Sequence, residues 1–595
     1  MTWLDHAGRR RQRPQGLLLA TLLWTFAACS TAPVPRTSAP LPPAKPAVVA
    51  QIPAREASPP VPVAAPLPAP PAESAAVAAR FPDPAVRYRT PAFEPGHAGY
   101  TSNAELRQLV RGIARGTVQE GQGATNPTII RLLPLGSSQS GVPLEALHFS
   151  REPVALAATG VTARPSRPTV LLVGQQHGDE PAGAEALIAI AQALAQEPVP
   201  GSLASLLDRI DVVILPRANP DGAATERRLT VTGIDMNRDH LLLQTPEAQA
   251  QAQLVREFNP AVVVDLHEYA VLGRFKEKFG AVQRFDALTQ YAMVANLPEF
   301  IGKASEEWFR QPLLQSLKVQ GLSTEWYYTT SADLANKKVS MGGVPPDTGR
   351  NENGLRNAIS LLIETRGIGL GPEHLLRRVH THVTAITSVL KSAAARADDL
   401  QKLRHFVDAD TVAKACQGET IVEAAATPSE YKLLMLDPQT GADVAVNVTW
   451  DSARELVPVN RRTRPCGYWL GADQVDAVRR LRALGVQVQR LEQAGTLRGE
   501  AYTETARALG ARSDVRGSIF DAEAVLRVNV ALLPALIDVD AGGYYVGLDQ
   551  PLANLVIAAL EPDTQNSYLA NRIVSSVNAL ARVMQRPEAR MSMLP

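Results

Sequence analysis

The chain has 595 residues, and its 60 basic and 59 acidic side chains give a formal net charge of +1 at pH 7. This length predicts more than one domain, and the balanced charge excludes a general electrostatic attraction to nucleic acid. With only Cys29, Cys416 and Cys466, the chain cannot be a disulfide-dense scaffold.

The N-terminal segment, residues 1–29, has the pattern of an export signal. A basic stretch, Arg9–Arg13, precedes the apolar run Leu17–Ala28, which is short for a transmembrane helix. Phe26–Cys29 resembles the lipobox of bacterial lipoproteins, in which the cysteine becomes the lipidated N-terminus; a cleaved signal peptide is the alternative. We expect an exported, periplasmic lipoprotein, held at the outer membrane only by the lipid on Cys29.

The composition divides the rest of the chain into three parts. Residues 30–87 are rich in Pro and Ala and have no helix or strand period, which predicts a disordered linker in extended conformations. Residues 88–397 alternate strand and helix patterns and predict an α/β domain. Residues 398–595 are expected to form an α+β or β-rich accessory domain.

The α/β part begins with a helix pattern at Thr101–Gly116. Thr128–Leu135 and Val142–Phe149 follow as two predicted antiparallel strands around a Gly-Ser-Ser turn. The apolar run Thr169–Val173 then predicts a buried strand, and a helix is expected from there to Gln196.

The sequence His177-Gly178-Asp179-Glu180 comes directly after that strand. An imidazole and a carboxylate three residues apart can converge, and they are two of the three protein ligands of a catalytic zinc site. The alternative is an ordinary helix start, with Asp179 as N-cap and Glu180 as a first-turn acid. A second imidazole, His267, follows the apolar strand Ala261–Val264, and this favours the metal site.

Two further polar segments stand near strand ends. Asn237 and Arg238 place an amide beside a planar guanidinium, which suits a peptide's terminal carboxylate, although a lone loop arginine is often only a surface residue. Glu364 ends the apolar strand Ile359–Ile363, where burial raises a carboxyl pKa toward the range of a general base. A helix cap or a salt bridge with Arg366 is the alternative for Glu364.

Over roughly Thr101–Ser392, these segments together resemble the zinc carboxypeptidases, the carboxypeptidase A-like metallopeptidases. The shared motifs, in the family's order, are His-Gly-Asp-Glu, Asn-Pro-Asp-Gly, Asp-Met-Asn-Arg, Asp-Leu-His and Glu-Thr-Arg. The resemblance implies a mixed, mostly parallel sheet with helices on both faces and one Zn²⁺ per chain. It also implies hydrolysis of the last amide bond of peptides with a free C-terminal carboxylate.

The resemblance also gives individual residues a role. It implies that zinc is bound by His177, Glu180 and His267, and that Glu364 transfers the proton. Arg228 or its neighbour Arg227 stabilises the oxyanion. The substrate carboxylate is bound by Asn237 and Arg238, and Asp235 orients a ligand imidazole.

The chain departs from the family in the loop before the general base. The family uses a mobile tyrosine there, and Ser340–Val344 contains none. Tyr327 and Tyr328 lie further upstream and could approach the site, but we do not assign them the role. Arg350, in the sequence Gly-Arg-Asn, is instead expected to supply a second contact to the substrate carboxylate.

Two alternative functions use the same residues. A zinc-dependent N-acyl amino acid deacylase, similar to aspartoacylases and desuccinylases, shares His-x-x-Glu and a later His, whereas Asn-Pro-Asp-Gly and Glu-Thr-Arg-Gly favour a peptidase. A non-enzymatic, lipid-tethered envelope binding protein on the same fold would explain the missing loop tyrosine. The presence of Glu364 with all three ligands argues against it.

The C-terminal part carries fewer signals. Because export permits oxidation, we predict a disulfide between Cys416 and Cys466; two free thiols are the alternative. Thr505–Leu509 and Leu552–Leu560 have helical patterns, and Gly542–Leu548 is typical of an edge strand.

Overall fold

The structure is a computed structural model that describes residues 73–116, 128–152, 167–519 and 524–594. The predicted signal, Cys29 and most of the predicted linker lie outside the described residues. Among the described residues, no helix combines the length and apolar character needed to cross a bilayer.

Ten strands precede the C-terminal part. In chain order they are β1 (Ile129–Ser137), β2 (Pro143–Ser150), β3 (Thr169–Gly174), β4 (Asp211–Leu215), β5 (Val262–Ala270), β6 (Ala287–Tyr291), β7 (Thr324–Trp326), β8 (Thr329–Thr330), β9 (Lys338–Ser340) and β10 (Ile359–Ile368). Eight form one sheet in the order β1-β2-β4-β3-β5-β10-β6-β7. Its central strands β4, β3, β5 and β10 are parallel, while β1, β2 and β6 join antiparallel. The predicted mixed, mostly parallel sheet is confirmed.

Helices alternate with these strands. They are α1 (Ala75–Ala78), α2 (Asn103–Gly116), α3 (Ala182–Leu194), α4 (Pro220–Ala224), α5 (Pro246–Phe258), α6 (Arg274–Phe279), α7 (Glu299–Ala304), α8 (Gln311–Val319), α9 (Gly349–Leu355), α10 (Leu375–Ala395) and α11 (Ala397–Ala413).

Alternate residues of the central strands enter two separate apolar cores. Val170 and Leu172 of β3 lie in a core with residues of α3 and α10. Leu171 and Val173 lie in a second core with Leu254 of α5. Helices therefore cover both faces of the sheet, which explains why these strands read as continuous apolar runs.

The end of the predicted linker is folded. Val77 of α1 and Phe81 are buried, and Glu73 forms an ion pair with Arg366 of β10. Phe81 also stacks on the same guanidinium, 3.8 Å from its centre. Arg366 is 3% exposed, and a buried guanidinium requires such a partner, so folded residues begin before Tyr88.

The C-terminal part is rich in β-structure, as predicted. Its elements are β11 (Glu419–Leu436), β12 (Asp443–Thr463), β13 (Gly467–Leu470), α12 (Val475–Ala483), β14 (Gln489–Leu491), β15 (Gly495–Gly510), β16 (Ser513–Asp514), β17 (Gly517–Ser518), β18 (Val525–Val539), β19 (Tyr544–Gly547), α13 (Ala553–Leu560), β20 (Leu580–Val583) and β21 (Met591–Met593). Seven strands form a sheet in the order β18-β15-β20-β13-β19-β14-β21, and β11 and β12 extend a second sheet through β9 and β8.

This C-terminal part packs directly against the α/β part. One apolar core contains Leu241 and Leu355 from the α/β part together with Tyr468 and Leu555. The described residues between 73 and 594 accordingly belong to one compact unit. The boundary between residues 397 and 398 stays a prediction.

Two local predictions in this part are wrong. Thr505–Leu509 is not helical but lies in β15, because its pairing with β18 overrides the local helix propensity. Gly542–Leu548 is not an edge strand, since β19 pairs with both β13 and β14. The helix predicted at Leu552–Leu560 is confirmed by α13.

The disulfide between Cys416 and Cys466 is confirmed, and it closes a sequence separation of 50 residues. A loop of this length restricts the unfolded chain substantially, so we expect the double replacement by Ala to lower the free energy of unfolding by about 2 to 4 kcal/mol. Urea unfolding of the variant and of the oxidised wild type measures this difference. Equal unfolding midpoints would show that the bridge contributes nothing to stability.

Candidate metal centre

The loop between β3 and α3 carries His177 and Glu180. This loop lies so close to the Asn-Pro-Asp-Gly turn that a Cβ on Gly178 would stand 1.9 Å from the carbonyl carbon of Gly222. The turn is itself held by Asn219, whose side chain accepts a hydrogen bond from the Gly222 N–H at 2.9 Å. The turn therefore positions the loop that carries the ligands, because only a glycine at position 178 permits this close backbone contact.

The predicted ligands converge on one point. His177 Nδ1 lies 2.7 Å from Glu180 Oε1, and His267 Nδ1 lies 2.8 Å from Glu180 Oε2. The two Nδ1 atoms are 3.1 Å apart. Among the described residues, these three buried side chains are the one group whose ligand atoms all lie within 4.8 Å of each other. Two imidazoles and a carboxylate are the donor set of a catalytic zinc site, so the residues fit the metal.

A carboxylate holds the far side of each imidazole. His177 Nε2 lies 3.2 Å from Asp235 Oδ1, and His267 Nε2 lies 2.9 Å from Asp265 Oδ1. When each Nε2–H donates to its carboxylate, each Nδ1 keeps a lone pair for the shared point. Asp235 stands where the resemblance implied. Asp265 was missed, although its spacing of two from His267 puts both side chains on one face of β5.

The electrostatics around His267 favour a positive charge. Burial opposes protonation of the ring, yet Asp265 and Glu180 hold the pKa of His267 well above its usual value. Because the same two carboxylates act on any cation at Nδ1, they also stabilise a divalent metal ion there.

Glu364 stands beside the ligands on the neighbouring strand. In the parallel pair of β10 and β5, Glu364 is in register with His267, and it lines one cavity with His177 and Glu180. Burial, with a contribution from the charge of Glu180, raises the pKa of Glu364 to about 8. Arg366 does not pair with Glu364 and is bound to Glu73 instead.

The structure distinguishes the two candidate oxyanion arginines. Arg228 Nη1 lies 3.1 Å from His177 Nδ1, and its Nη2 donates to Asp235 at 2.9 Å. Arg227 is exposed at the surface. Of the two side chains, that of Arg228 is the one placed at the metal centre.

The two residues expected to bind the substrate carboxylate lie nearby but are already engaged. Asn237 Nδ2 is 3.2 Å from His267 Nε2, and its Oδ1 accepts a hydrogen bond from the Gly349 N–H at 2.8 Å. Arg238 donates through Nη2 to Asp514 at 2.6 Å and through Nη1 to the Asn237 carbonyl at 2.6 Å.

Arg350, near the start of α9, is differently placed. It is 5% exposed and lines the cavity. Its Nη2 donates to the Gly343 carbonyl at 2.7 Å, while its Nε has no partner. In the described parts of the chain, no carboxylate lies within ion-pair distance of Arg350, and burial lowers its pKa to about 10. Among the described residues it is therefore a buried cation at the cavity with no carboxylate in direct contact.

A tyrosine does reach the cavity. Tyr327 lines it, and the ring packs so closely on Gly342 that a Cβ there would lie 2.8 Å from Cε1. Tyr328 also borders the cavity, but it is 1% exposed and belongs mainly to an apolar core. The sequence offered Tyr327 and Tyr328 together and gave no ground to choose between them, because nothing local marks the contact of Tyr327 with Gly342.

The C-terminal part contributes residues that sequence reasoning missed completely. Val515 and Arg516, at the tip of the β16–β17 hairpin, line the same cavity. Asp514 binds Arg238 across a separation of 276 residues, so no local pattern could have revealed it.

Comparison with known proteins shows similarity to one enzyme family. Residues 120–276 match the family model for zinc carboxypeptidases. Over 412 residues the chain is 28% identical to carboxypeptidase 2 of Trichophyton rubrum, covering 68% of this chain and 74% of that protein. Over 118 residues it is 39% identical to mouse carboxypeptidase D, covering 18% of this chain and 9% of that protein.

Solved structures give similar matches. A metallo-carboxypeptidase from Pseudomonas aeruginosa is 20% identical with a TM-score of 0.36, covering 51% of this chain and 70% of that one. Thrombin-activatable fibrinolysis inhibitor is 15% identical with a TM-score of 0.38, covering 53% of this chain and 80% of that one.

Proposed function

The chain belongs to the zinc carboxypeptidase family, and we propose that its site removes the last residue of peptides with a free C-terminal carboxylate. The observation that carries this proposal is the convergence of His177, Glu180 and His267, with Glu364 in register on the next strand. The family membership makes the protein a metallocarboxypeptidase hydrolase, and the geometry supports the residue roles that we propose.

The chemistry that a bound zinc ion supplies at His177, Glu180 and His267 is the acidification of a water molecule and the polarisation of the scissile carbonyl. Glu364 accepts the proton of the attacking water and later returns it to the leaving amine. Arg228 donates hydrogen bonds to the developing oxyanion, since its guanidinium already stands at the ligands.

Cleavage of only the last peptide bond requires a receptor for the terminal carboxylate. We assign this contact mainly to Arg350, because it is buried at the cavity and has an unpaired Nε. A guanidinium matches a carboxylate in geometry and charge. Asn237 and Arg238 lie next to the same space and complete the carboxylate-binding region.

The direct test is product mass after incubation with defined substrates. The purified, zinc-loaded protein is given peptides with a free terminal carboxylate, the same peptides as C-terminal amides, and N-acyl amino acids. We expect loss of single C-terminal residues from the free peptides, much slower cleavage of the amides, and inhibition by a chelator.

The other outcomes identify other functions. Cleavage of N-acyl amino acids alone would make the protein a deacylase. Binding of peptides without turnover in the zinc-loaded protein would make it an envelope binding protein.

We also propose that the enzyme works outside the cytoplasm, tethered through Cys29. The basic and apolar N-terminal pattern and the lipobox-like Phe26–Cys29 support this location. The disulfide between Cys416 and Cys466 supports it independently, because such bonds persist in oxidising compartments.

A further inference from the structure

A short hairpin of the C-terminal part reaches into the catalytic cavity. Its strands β16 and β17 are joined by Val515 and Arg516, both of which line the cavity. The hairpin is anchored on both sides, since Ala332 N–H donates to the Arg516 carbonyl at 3.1 Å and Ser513 N–H donates to Gln565 Oε1 at 3.1 Å.

The carboxylate of this hairpin is held by two guanidinium groups. Asp514 Oδ2 lies 2.6 Å from Arg238 Nη2 and 3.0 Å from Arg516 Nη2. Its side chain is 5% exposed. Burial opposes its ionisation, but Arg238 and Arg516 lower the pKa of Asp514 to about 2. The side chain is therefore an anion wherever a peptidase of this kind is assayed.

These contacts engage both terminal nitrogens of Arg238. A guanidinium grips a carboxylate best through two parallel N–H groups. The Nη2 of Arg238 is bound to Asp514, and its Nη1 is bound to the Asn237 carbonyl at 2.6 Å. Asp514 therefore holds one terminal nitrogen of Arg238 with the same group that a peptide's C-terminus would present.

We propose that Asp514 is a specificity-determining residue that competes with the substrate's terminal carboxylate for Arg238. The proposal rests on the proposed function and assigns the C-terminal part a place in it. Arg350, which lacks a counter-ion among the described residues, is then the main residue that binds the substrate carboxylate. Arg238 contributes only when Asp514 releases it.

The test is a variant that removes this competition. In the zinc-loaded full chain, Asp514→Asn keeps the shape of the side chain and removes its charge. We expect 3-phenylpropanoate, a carboxylate with no amide bond to cleave, to bind roughly tenfold tighter, because a charge-assisted contact to Arg238 becomes available. We expect KM for free-carboxylate peptides to fall by a similar factor, with kcat little changed.

Three comparisons make the result specific. Adding Arg238→Met to Asp514→Asn should abolish the gain, because Arg238 is the group released. Glu504→Gln removes a partly exposed carboxylate whose ion pair with Arg507 spans 2.6 Å in the same part of the chain, and it should leave binding unchanged. Asp514→Ser should repeat the gain if the amide of Asn disturbs the hairpin.

A gain in affinity cannot arise from damage to the fold. Unchanged or weaker binding of 3-phenylpropanoate by both Asp514 variants would overturn the proposal and leave Asp514 as a residue that only positions Arg238. Calorimetric binding needs no turnover. A protein that cleaves no peptide yet gains affinity therefore refutes the proposed function alone, and peptide cleavage without the gain refutes this inference alone.

Discussion

Replacing Glu364 by Gln is expected to lower kcat by about two to four orders of magnitude while the protein keeps its zinc. The amide retains the size of the side chain but cannot accept a proton from water. Glu364 is not among the three converging ligands His177, Glu180 and His267, so metal binding should survive. Steady-state kinetics on a cleaved peptide, with zinc content by mass spectrometry, measures both effects.

The environment of Glu364 sharpens this expectation. Burial raises its pKa to about 8 against the opposing charges of His267 and Arg228, so near neutral pH this carboxyl binds a proton more readily than an ordinary glutamate. A base of this kind has a pKa close to the working pH and can both take and return a proton. The variant should accordingly lose the acid limb of the pH profile together with turnover.

A matched substitution separates the base from a general loss of charge. Glu325 of β7 lies outside the cavity and accepts a hydrogen bond from the Tyr431 hydroxyl at 2.9 Å. Glu325→Gln should keep nearly full activity. If Glu364→Gln were as active as Glu325→Gln, the proton-transfer role assigned to Glu364 would be wrong.

The central sheet could be predicted from the sequence because its strands are buried on both faces. Apolar runs such as Thr169–Val173 and Ile359–Ile363 have one structural solution, a covered parallel strand. Polar side chains at the ends of such strands must meet at one sheet edge, and for that reason His177, Glu180, His267 and Glu364 could be grouped before any geometry was known.

The C-terminal part could not be predicted in the same way. β15 is largely exposed and gains its structure from pairing with β18 rather than from its own pattern. The contribution of the C-terminal part to the cavity depends on Asp514, whose contact with Arg238 spans 276 residues of the chain. Such a contact is set by the packing of the two parts and leaves no local signature.

Replacing His177 by Ala is expected to abolish both zinc binding and peptide cleavage. His177 supplies one of three protein donors, and two donors hold the metal far less tightly than three in a site that also keeps a position open for water. Equilibrium dialysis with zinc and kinetics on the same peptide are the measurements. Because the ring is buried, thermal unfolding of the metal-free variant shows whether the fold persists.

A second variant distinguishes the loss of a metal ligand from the loss of a residue that only orients a ligand. Asp265 does not belong to the converging group but holds His267 through a contact of 2.9 Å. Asp265→Asn should therefore bind zinc roughly ten- to a hundredfold more weakly and remain active at saturating zinc, since the removal of such outer partners typically costs that much. His177→Ala should not recover at the zinc concentrations that restore Asp265→Asn. Recovery at high zinc would mean that His177 supports the site without binding the metal. The missing ligand would then have to be another residue near Glu180.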